Sequence, residues 1–185
     1  MREAGLEDRI TLLLNDYRDL DGQYDKLVSI EMIEAIGHQY MSRYFAKCNE
    51  LLKSNGMMLL QAITIADQRY QSALREVDFI KKFIFPGGFL PSITEMINVV
   101  TQKTEMKMCY LEDIGPHNAR TLSDWRERFM GSLEKVKQLG YPDSFIRMWE
   151  YYLCYCEGGF TERDIGTVQM LLVKPDSRGM AIASA

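Results

Sequence analysis

The sequence predicts an α/β fold whose core is a parallel sheet covered by helices on both faces. Two apolar runs, one within Asp25–Ile33 and one at Met57–Ile65, are almost continuous, as expected of strands buried on both faces. Between them lies a helix, since apolar and aromatic residues recur at helical spacing: Tyr40, Tyr44, Cys48, Leu51 and Leu52. A strand, a helix and a second strand in this order indicate parallel pairing, because parallel neighbours need a long crossover connection.

The boundaries of the first elements follow from local signals. Ile10–Leu14 is an apolar run followed by polar residues, which is the pattern of a buried strand ending in a loop. Gly56 is a natural end for the helix described above, as Gly5 is for a helix over residues 1–5. The chain is therefore expected to begin within an element of a larger fold.

The second half of the chain predicts further helices and strands. Ser92 and Glu95 form a capping box that opens a helix to about Val100, because their side chains can satisfy free backbone N–H groups. The other helices are expected at Ala73–Phe85, at Leu122–Val136 with an end at Gly140, and at Phe145–Cys156 between Asp143 and the pair Gly158 and Gly159. Strands are expected at Lys107–Glu112 and Thr167–Val173.

Composition argues against several classes of protein. The chain has 185 residues, enough for one domain with a sizeable core, and its net charge is -4 with a pI of about 5.3. A dedicated nucleic-acid binder is usually basic, so that function is not expected. No apolar run approaches the roughly 18 residues that span a bilayer, and the polar N-terminus lacks a signal region. We therefore expect a cytoplasmic protein, at most peripheral to the inner face of a membrane.

The cysteines do not predict a metal site. No pair has the C-x-x-C spacing among the four of them, which are Cys48, Cys109, Cys154 and Cys156. The two histidines, His38 and His117, lie far from the cysteines in the sequence. Structural zinc needs four convergent ligands, usually in close pairs. Buried, reduced thiols are therefore expected, with no bound metal.

Five stretches of the chain carry a resemblance to one enzyme family. They are Asn15–Asp19, Tyr24–Glu34 with its Ser-Ile-x-Met-x-Glu motif, Phe85–Ser92 with Phe-Pro-Gly-Gly-x-Leu-Pro-Ser, His117–Leu122, and Arg147–Leu153. In this order they resemble cyclopropane-fatty-acyl-phospholipid synthases, a branch of the class I S-adenosylmethionine-dependent methyltransferases. The resemblance is specific because both motifs occur together and the stretches span nearly the whole chain.

The resemblance implies a doubly wound, Rossmann-like methyltransferase sheet with helical lid insertions. Ile10–Leu14 then matches the family's third strand, so the first two strands are absent, with the glycine-rich cofactor loop and the ribose-binding acid. Residues 1–185 are expected to be the C-terminal part of a methyltransferase catalytic domain. In the family's sheet, the two absent strands lie between the third and fourth strands. We therefore expect completion by another chain, or pairing as a homo-oligomer or strand-swapped dimer.

The resemblance also implies two groups of site residues. Asp16 and Tyr17 follow the first predicted strand, where a carboxylate can accept the adenine amino hydrogens of the cofactor and a ring can cover the purine. A site for bicarbonate, the base that takes up the proton lost on ring closure, is implied at four positions: Glu34, Gln61, Ile63 and Asn118. From the residues alone, a polar turn at Asp16 and a helix-capping or solvated acid at Glu34 are the alternatives.

Two of these positions depart from the family pattern. The family commonly has histidine where this chain has Gln61, and tyrosine where it has Asn118. An amide retains hydrogen-bonding capacity, but it differs from these side chains in reach and acidity. We therefore expect ring closure to be impaired, with a methylated, uncyclised lipid as the alternative product.

The resemblance implies a function on lipids. The complete enzyme would transfer a methyl group from S-adenosylmethionine to an unsaturated acyl chain of a membrane phospholipid, whereas the isolated chain is expected to be inactive. The alternatives are a relative that methylates another small molecule and a non-catalytic subunit completed by a second chain. Basic and apolar residues mix in Leu74–Phe85, which is expected to rest on an anionic membrane surface or to pack over the active site.

Overall fold

The computed structural model describes residues 5–178, which form a four-stranded sheet with helices around it. The strands are β1 (Tyr24–Ile30), β2 (Leu52–Ile65), β3 (Lys107–Asp113) and β4 (Ile165–Val173). Their order is β1-β2-β4-β3, with β1 parallel to β2 and β4 antiparallel to both of its neighbours. Four predicted strands are thus confirmed, but parallel pairing holds only for β1 and β2, because the chain returns from β3 and inserts β4 beside β2.

Six α-helices connect the strands within the described residues. They are α1 (Met41–Leu51), α2 (Asp67–Ala73), α3 (Ile93–Lys103), α4 (Gly115–Met130), α5 (Leu133–Gln138) and α6 (Asp143–Thr161). A π-helical turn, Ile80–Ile84, lies between α2 and α3. Helix α1 makes the crossover from β1 to β2, whereas α4, α5 and α6 form the long connection from β3 to β4.

Helices α1 and α3 cover one face of the sheet and form the main core with it. The buried side chains of this core come from β2, β4, α1 and α3: Met58, Leu60, Met170, Leu172, Tyr44, Phe45, Met96 and Val100. Successive side chains of a strand point to opposite faces. The core residues of β2 and β4 point toward α1 and α3. The residues that alternate with them along each strand therefore face the opposite side of the sheet, where the candidate site lies.

Helices α4 and α6 cover only part of that other face. Leu122, Leu153 and Phe160 form a smaller buried cluster there. Toward β1 the face is open, and Val28 and Ile30 are each 62% exposed. β1 is also the edge of the sheet, since no described strand lies on its outer side. An unpaired edge with exposed apolar side chains is a surface on which another strand can pair.

We expect the isolated chain to self-associate through this edge. Replacing Val28 by lysine puts a charge beside the unpaired backbone groups of β1, so the fraction of dimer and larger species should fall severalfold. Light scattering coupled to size-exclusion chromatography measures this fraction. Leu139→Lys is the control, because Leu139 is an exposed apolar residue at the end of α5. A well-behaved monomer of the unmodified chain would contradict the expectation.

The expectation of a strand at Ile10–Leu14 is wrong. These residues lie outside the sheet, and their apolar side chains are exposed. A strand needs a neighbour to satisfy its backbone donors and acceptors, and no described strand lies beside this segment. Of the helix expected over residues 1–5, all but Gly5 lies outside the described residues.

Two helix boundaries in the first half also differ from the prediction. Helix α1 ends at Leu51, so Gly56 lies inside β2 rather than closing the helix. The helix expected at Ala73–Phe85 is replaced by the end of α2, a loop and the π-helical turn. The Lys81 ammonium group folds back and donates to the carbonyl of Ala73, the last residue of α2, and to that of Glu76 in the loop, so one free carbonyl at the end of α2 gains a partner.

In the second half, tertiary packing sets the helix ends. The helix expected at Leu122–Val136 is divided at Gly131 into α4 and α5. Helix α6 continues through Gly158 and Gly159 to Thr161, with Asp143 in its first turn instead of capping it. Gly159 leaves room for Ile165, since a Cβ at position 159 would lie 3.1 Å from the Ile165 side chain, so this glycine serves close packing within the helix.

The predicted capping of α3 is confirmed for its serine. Ser92 Oγ accepts a hydrogen bond from the backbone N–H of Glu95 at 3.3 Å. The helix then runs from Ile93 to Lys103, slightly beyond the expected end. A capped start fixes α3 against the sheet, where Met96 and Val100 join the main core.

Candidate active site

Glu34 lies just beyond the carboxyl end of β1 and reaches across to β2. Its Oε1 accepts a hydrogen bond from the backbone N–H of Ile63 at 2.5 Å. This N–H points to the same side of β2 as the carbonyl of Gln61, which accepts from the Glu31 N–H at 2.9 Å. Because β1 ends at Ile30, the Ile63 N–H has no partner on β1, and the Glu34 carboxylate takes that place.

The second carboxylate oxygen, Glu34 Oε2, is buried and has no hydrogen-bond partner among the described residues. Burial raises the pKa of Glu34 and the charge of Glu31 adds to this, while backbone N–H groups, including that of Ile63, lower it. A buried acceptor without a donor is unfavourable. The position therefore fits a ligand that donates a hydrogen bond.

The raised pKa makes the stability of the unliganded protein depend on pH. The folded form holds the Glu34 proton more tightly than the unfolded chain does, so this stabilisation is complete below about pH 4.5 and is lost as pH rises through the folded pKa. We expect Glu34→Gln to remove this loss and to be more stable at neutral pH by about 1 kcal/mol. Urea unfolding at several pH values measures it, with Glu50→Gln on the surface of α1 as the control. Parallel pH profiles for the unmodified protein and Glu34→Gln would contradict the expectation.

Gln61 lies two residues before Ile63 on β2, so both side chains project from the same face. Its Nε2 donates to Glu31 Oε1 at 2.9 Å, and its Oε1 accepts from Gln169 Nε2, also at 2.9 Å. Gln169 is the direct cross-strand partner of Gln61 on β4. A side-chain amide has two N–H groups, so one of those on Gln61 is left for a ligand.

Asn118 comes to the same region from helix α4. Its Nδ2 donates to Thr167 Oγ1 at 2.7 Å, and Thr167 is the cross-strand partner of Ile63. The helix can approach β4 this closely because Gly115 has no side chain: a Cβ there would lie 3.2 Å from Gly166 Cα. The structure thus gathers the four residues of the predicted anion site in one region, while their role stays a prediction.

Asp16 and Tyr17, the predicted adenine contacts, lie in a separate turn that precedes β1. Both Asp16 oxygens accept from Arg18, and these hydrogen bonds hold the pKa of Asp16 at about 2. The ring of Tyr17 packs edge-on against that of Tyr44, with centroids 5.8 Å apart. Within residues 5–178, no hydrogen bond links either residue to Glu34, so their role in cofactor binding also stays a prediction.

Sequence reasoning missed the polar partners of the site residues, which are Glu31, Thr167 and Gln169. Glu31 has a φ of 51°, a left-handed conformation that is uncommon for a residue other than glycine. Nothing in the local sequence signals this conformation. Gln169 is the only polar residue in the run from Val168 to Val173, and that interruption is the signal that could have found it.

Tyr152 of α6 lies at the edge of the site, together with the aromatic rings of Phe85 and Trp149. Burial raises the pKa of the Tyr152 phenol to about 12, with smaller contributions from Cys156 and Glu31. The Tyr152 ring centroid lies 5.1 Å from that of Trp149 and 6.4 Å from that of Phe85. Helix α6 therefore places a neutral aromatic boundary close to the Glu31 carboxylate.

The thiols only partly follow the expectation of burial. Cys48 is buried and Cys156 is half-buried, but Cys109 and Cys154 are exposed, so the expectation is wrong for two of the four. Cys109 lies at the register shift of β3, and Cys154 lies on the outer side of α6. Among residues 5–178, no three His, Cys, Asp or Glu side chains are grouped so as to hold a metal ion. In the same range, every helix is too short or too polar to cross a bilayer.

Comparison with known proteins points to one family. The family model described as mycolic acid cyclopropane synthetase matches residues 1–170. The chain is 42% identical over 171 residues to a tuberculostearic acid methyltransferase of Mycobacterium tuberculosis, and 34% identical over 174 residues to the cyclopropane-fatty-acyl-phospholipid synthase of Escherichia coli K12. These alignments cover 92% and 94% of this chain but 40% and 44% of the relatives, so the chain spans less than half of their length.

A solved structure of the same family has the same fold. The chain superimposes on a mycolic acid cyclopropane synthase, solved with SAH and CTAB, with a TM-score of 0.79 and 26% sequence identity. The superposition covers 88% of this chain and 59% of that chain. The sheet described above is therefore part of a Rossmann-like fold of the S-adenosylmethionine-dependent methyltransferases, as the sequence predicts. The chain belongs to the mycolic acid cyclopropane synthetase family.

Proposed function

We propose that the chain is the C-terminal part of the catalytic domain of an S-adenosylmethionine-dependent methyltransferase acting on unsaturated acyl chains of phospholipids. Family membership supports the reaction class, and the Escherichia coli relative is a cyclopropane-fatty-acyl-phospholipid synthase by name. The observation that carries the proposal is the buried Glu34 Oε2, which has no hydrogen-bond partner among the described residues and lies beyond the carboxyl end of β1, beside the last residues of β2. Ligands of open α/β sheets bind beyond the carboxyl ends of the strands.

The residues present fit a small oxyanion such as bicarbonate. Its hydroxyl group can donate to Glu34 Oε2, and the remaining amide hydrogens of Gln61 and Asn118 can donate to its other oxygens. The Ile63 N–H is already used by Glu34 Oε1, so in this proposal Ile63 acts by fixing the carboxylate. Bicarbonate held in this way would supply the base of the reaction.

Asp16 and Tyr17 would hold the adenine of S-adenosylmethionine, which supplies the electrophilic methyl group when it is bound. The ion pair with Arg18 does not prevent this, because Asp16 Oδ2 accepts from the Arg18 Nη2 and keeps a further lone pair. Tyr17 is half-buried on one side by Tyr44 and offers its remaining ring surface to a purine.

Aromatic and acidic side chains around the site favour positive charge on the acyl chain during methyl transfer. The ring of Tyr152 lies beside those of Phe85 and Trp149, and the negative face of an aromatic ring can attract a cation. The Tyr152 phenol is neutral at physiological pH, as a tyrosine ordinarily is, and burial moves its pKa further away, to about 12. The Glu31 carboxylate nearby adds negative charge without being part of the anion site.

We infer that the product includes methylated, uncyclised acyl chains. Gln61 and Asn118 stand where the family commonly has histidine and tyrosine, and neither amide can carry charge. The relative with 42% identity is named a methyltransferase and not a cyclopropane synthase, which supports a product of this kind. Oligomeric pairing and contact with a membrane surface stay part of the proposal.

Incubation of the complete protein with phospholipid vesicles tests the proposed function. Vesicles of cis-unsaturated phospholipid and S-adenosylmethionine labelled in its methyl group should give labelled acyl chains, detected by mass spectrometry. Vesicles of the saturated phospholipid are the matched control and should remain unlabelled. Label in a small molecule and none in the acyl chains would favour the alternative methyltransferase, and no label in any product would favour the non-catalytic subunit.

A further inference from the structure

A short chain of hydrogen-bonded side chains crosses the sheet beside Glu34. Gln169 on β4 donates to Gln61 on β2, and Gln61 donates in turn to Glu31 beyond the end of β1, each bond measuring 2.9 Å between its heavy atoms. Gln61 and Gln169 stand directly opposite each other in the antiparallel β2–β4 pair. Their side chains therefore start about 5 Å apart on one face of the sheet.

The Glu31 carboxylate fixes the donor-to-acceptor direction of these two hydrogen bonds. A carboxylate only accepts hydrogen bonds, so the Gln61 amide must turn its nitrogen toward Glu31 and its oxygen toward β4. An oxygen that faces β4 then requires a donor, and the amide nitrogen of Gln169 is that donor. The orientation of Gln61 thus depends on one group at each of its ends.

Apolar neighbours make the orientation of the Gln61 amide depend on the hydrogen bond that Gln169 donates. The next pair on the same face of β2 and β4 is Leu59 and Leu171, and both glutamines are half-buried. An amide oxygen beside apolar side chains has few water molecules to replace a lost donor. Without Gln169, the amide of Gln61 is therefore freer to turn over and to withdraw its nitrogen from the site.

We propose that Gln169 is a positioning residue that holds the Gln61 amide with its nitrogen toward Glu31 and the anion site. The inference rests on the proposed function, in which Gln61 stands where the family commonly has histidine. A neutral histidine ring has a donor on one side and an acceptor on the other. The bond from Gln169 gives the Gln61 amide a comparable fixed polarity, so Gln169 acts through Gln61 and not on the reacting groups.

A double-mutant cycle in the complete enzyme tests this role. Gln169→Met removes the donor at similar size, and turnover on unsaturated phospholipid vesicles should fall about tenfold, with cofactor affinity changed less than about twofold. Gln61→Met should lower turnover at least as much. The double variant should be no slower than Gln61→Met alone, because Gln169 acts only through Gln61. Losses that multiply in the double variant would overturn the proposal.

The Gln169→Glu variant adds a pH profile that a purely structural role would not give. The introduced carboxylate cannot donate to Gln61 Oε1, but the same carboxyl group can donate once it is protonated. Turnover relative to the unmodified enzyme should therefore rise as pH falls toward the pKa of the new side chain. Gln169→Met is the matched comparison, and its relative turnover should not change with pH. The same flat profile in both variants would count against a donor role for Gln169.

Side-chain amide NMR tests the orientation of Gln61 without any activity. In complete protein labelled with ¹⁵N-glutamine, the Gln61 signals are those missing from Gln61→Met, and they should shift in Gln169→Met and Gln169→Glu. Thr167→Val is the matched control, since Thr167 lies two residues away on the same face and bonds to Asn118 instead. Unchanged Gln61 signals in both Gln169 variants would overturn this proposal, whereas an unmodified enzyme that methylates no lipid would overturn only the proposed function.

Discussion

The Glu34→Gln variant of the complete enzyme is expected to lose about a hundredfold or more in turnover, while its cofactor affinity changes less than about twofold. The amide keeps an oxygen that can accept from the Ile63 N–H, which lies 2.5 Å from Glu34 Oε1. It also replaces the buried Oε2, an acceptor that has no hydrogen-bond partner among the described residues, with an uncharged amide nitrogen. The contact that holds the turn after β1 therefore survives, and the variant loses only the acceptor for a bound anion's hydroxyl group.

Methyl incorporation into unsaturated phospholipid measures the turnover of this variant, and titration calorimetry measures its cofactor affinity. Glu50→Gln is the control for the loss of one charge, because Glu50 is an exposed residue of α1 paired with Lys47. Equal losses of turnover and cofactor affinity would assign Glu34 a structural role. The raised pKa of Glu34 predicts that the variant is more stable although it is less active. That result would show that the protein keeps a carboxylate that lowers its stability because the reaction needs it.

Gln61→His combined with Asn118→Tyr is expected to raise the cyclopropane share of the product severalfold. A histidine at 61 can keep both hydrogen bonds, since one ring nitrogen can accept from Gln169 and the other can donate to Glu31. A tyrosine at 118 reaches further than asparagine and brings a more acidic donor. A base held more firmly by these residues would remove the proton whose loss closes the ring, before a hydride shift in the cation on the acyl chain and loss of another proton could give a methylated alkene.

Mass spectrometry and proton NMR of the product lipids measure the two product classes. Each single substitution serves as the control for the other, and the total methyl incorporation shows whether only the product ratio has changed. We expect the double variant to form more cyclopropane than either single variant. Clean cyclopropane from the unmodified enzyme, unchanged by both substitutions, would show that the two departures from the family pattern are neutral.

Periodicity located all four strands of the sheet, because nearly continuous apolar runs such as Met57–Ile65 report burial directly. The same reasoning failed at Ile10–Leu14, which is equally apolar but lies exposed outside the sheet. A local pattern indicates that a segment is able to form a strand, whereas a strand also needs a neighbour. The end of α6 gives the same lesson, since Gly158 and Gly159 stay helical where local preference predicts an end.

The sequence by itself determined the family, the position of most strands, and the residue types available at the site. Only the tertiary structure decided which groups meet: the Ile63 N–H donates to Glu34 Oε1, and Gln169 donates to Gln61. It also left Glu34 Oε2 buried without a hydrogen-bond partner among the described residues, whereas the two hydrogen bonds are long-range contacts. These contacts join residues 29 and 108 positions apart along the chain. Which side chains meet at such separations depends on strand order and register, and a shift of one residue would turn every side chain to the opposite face.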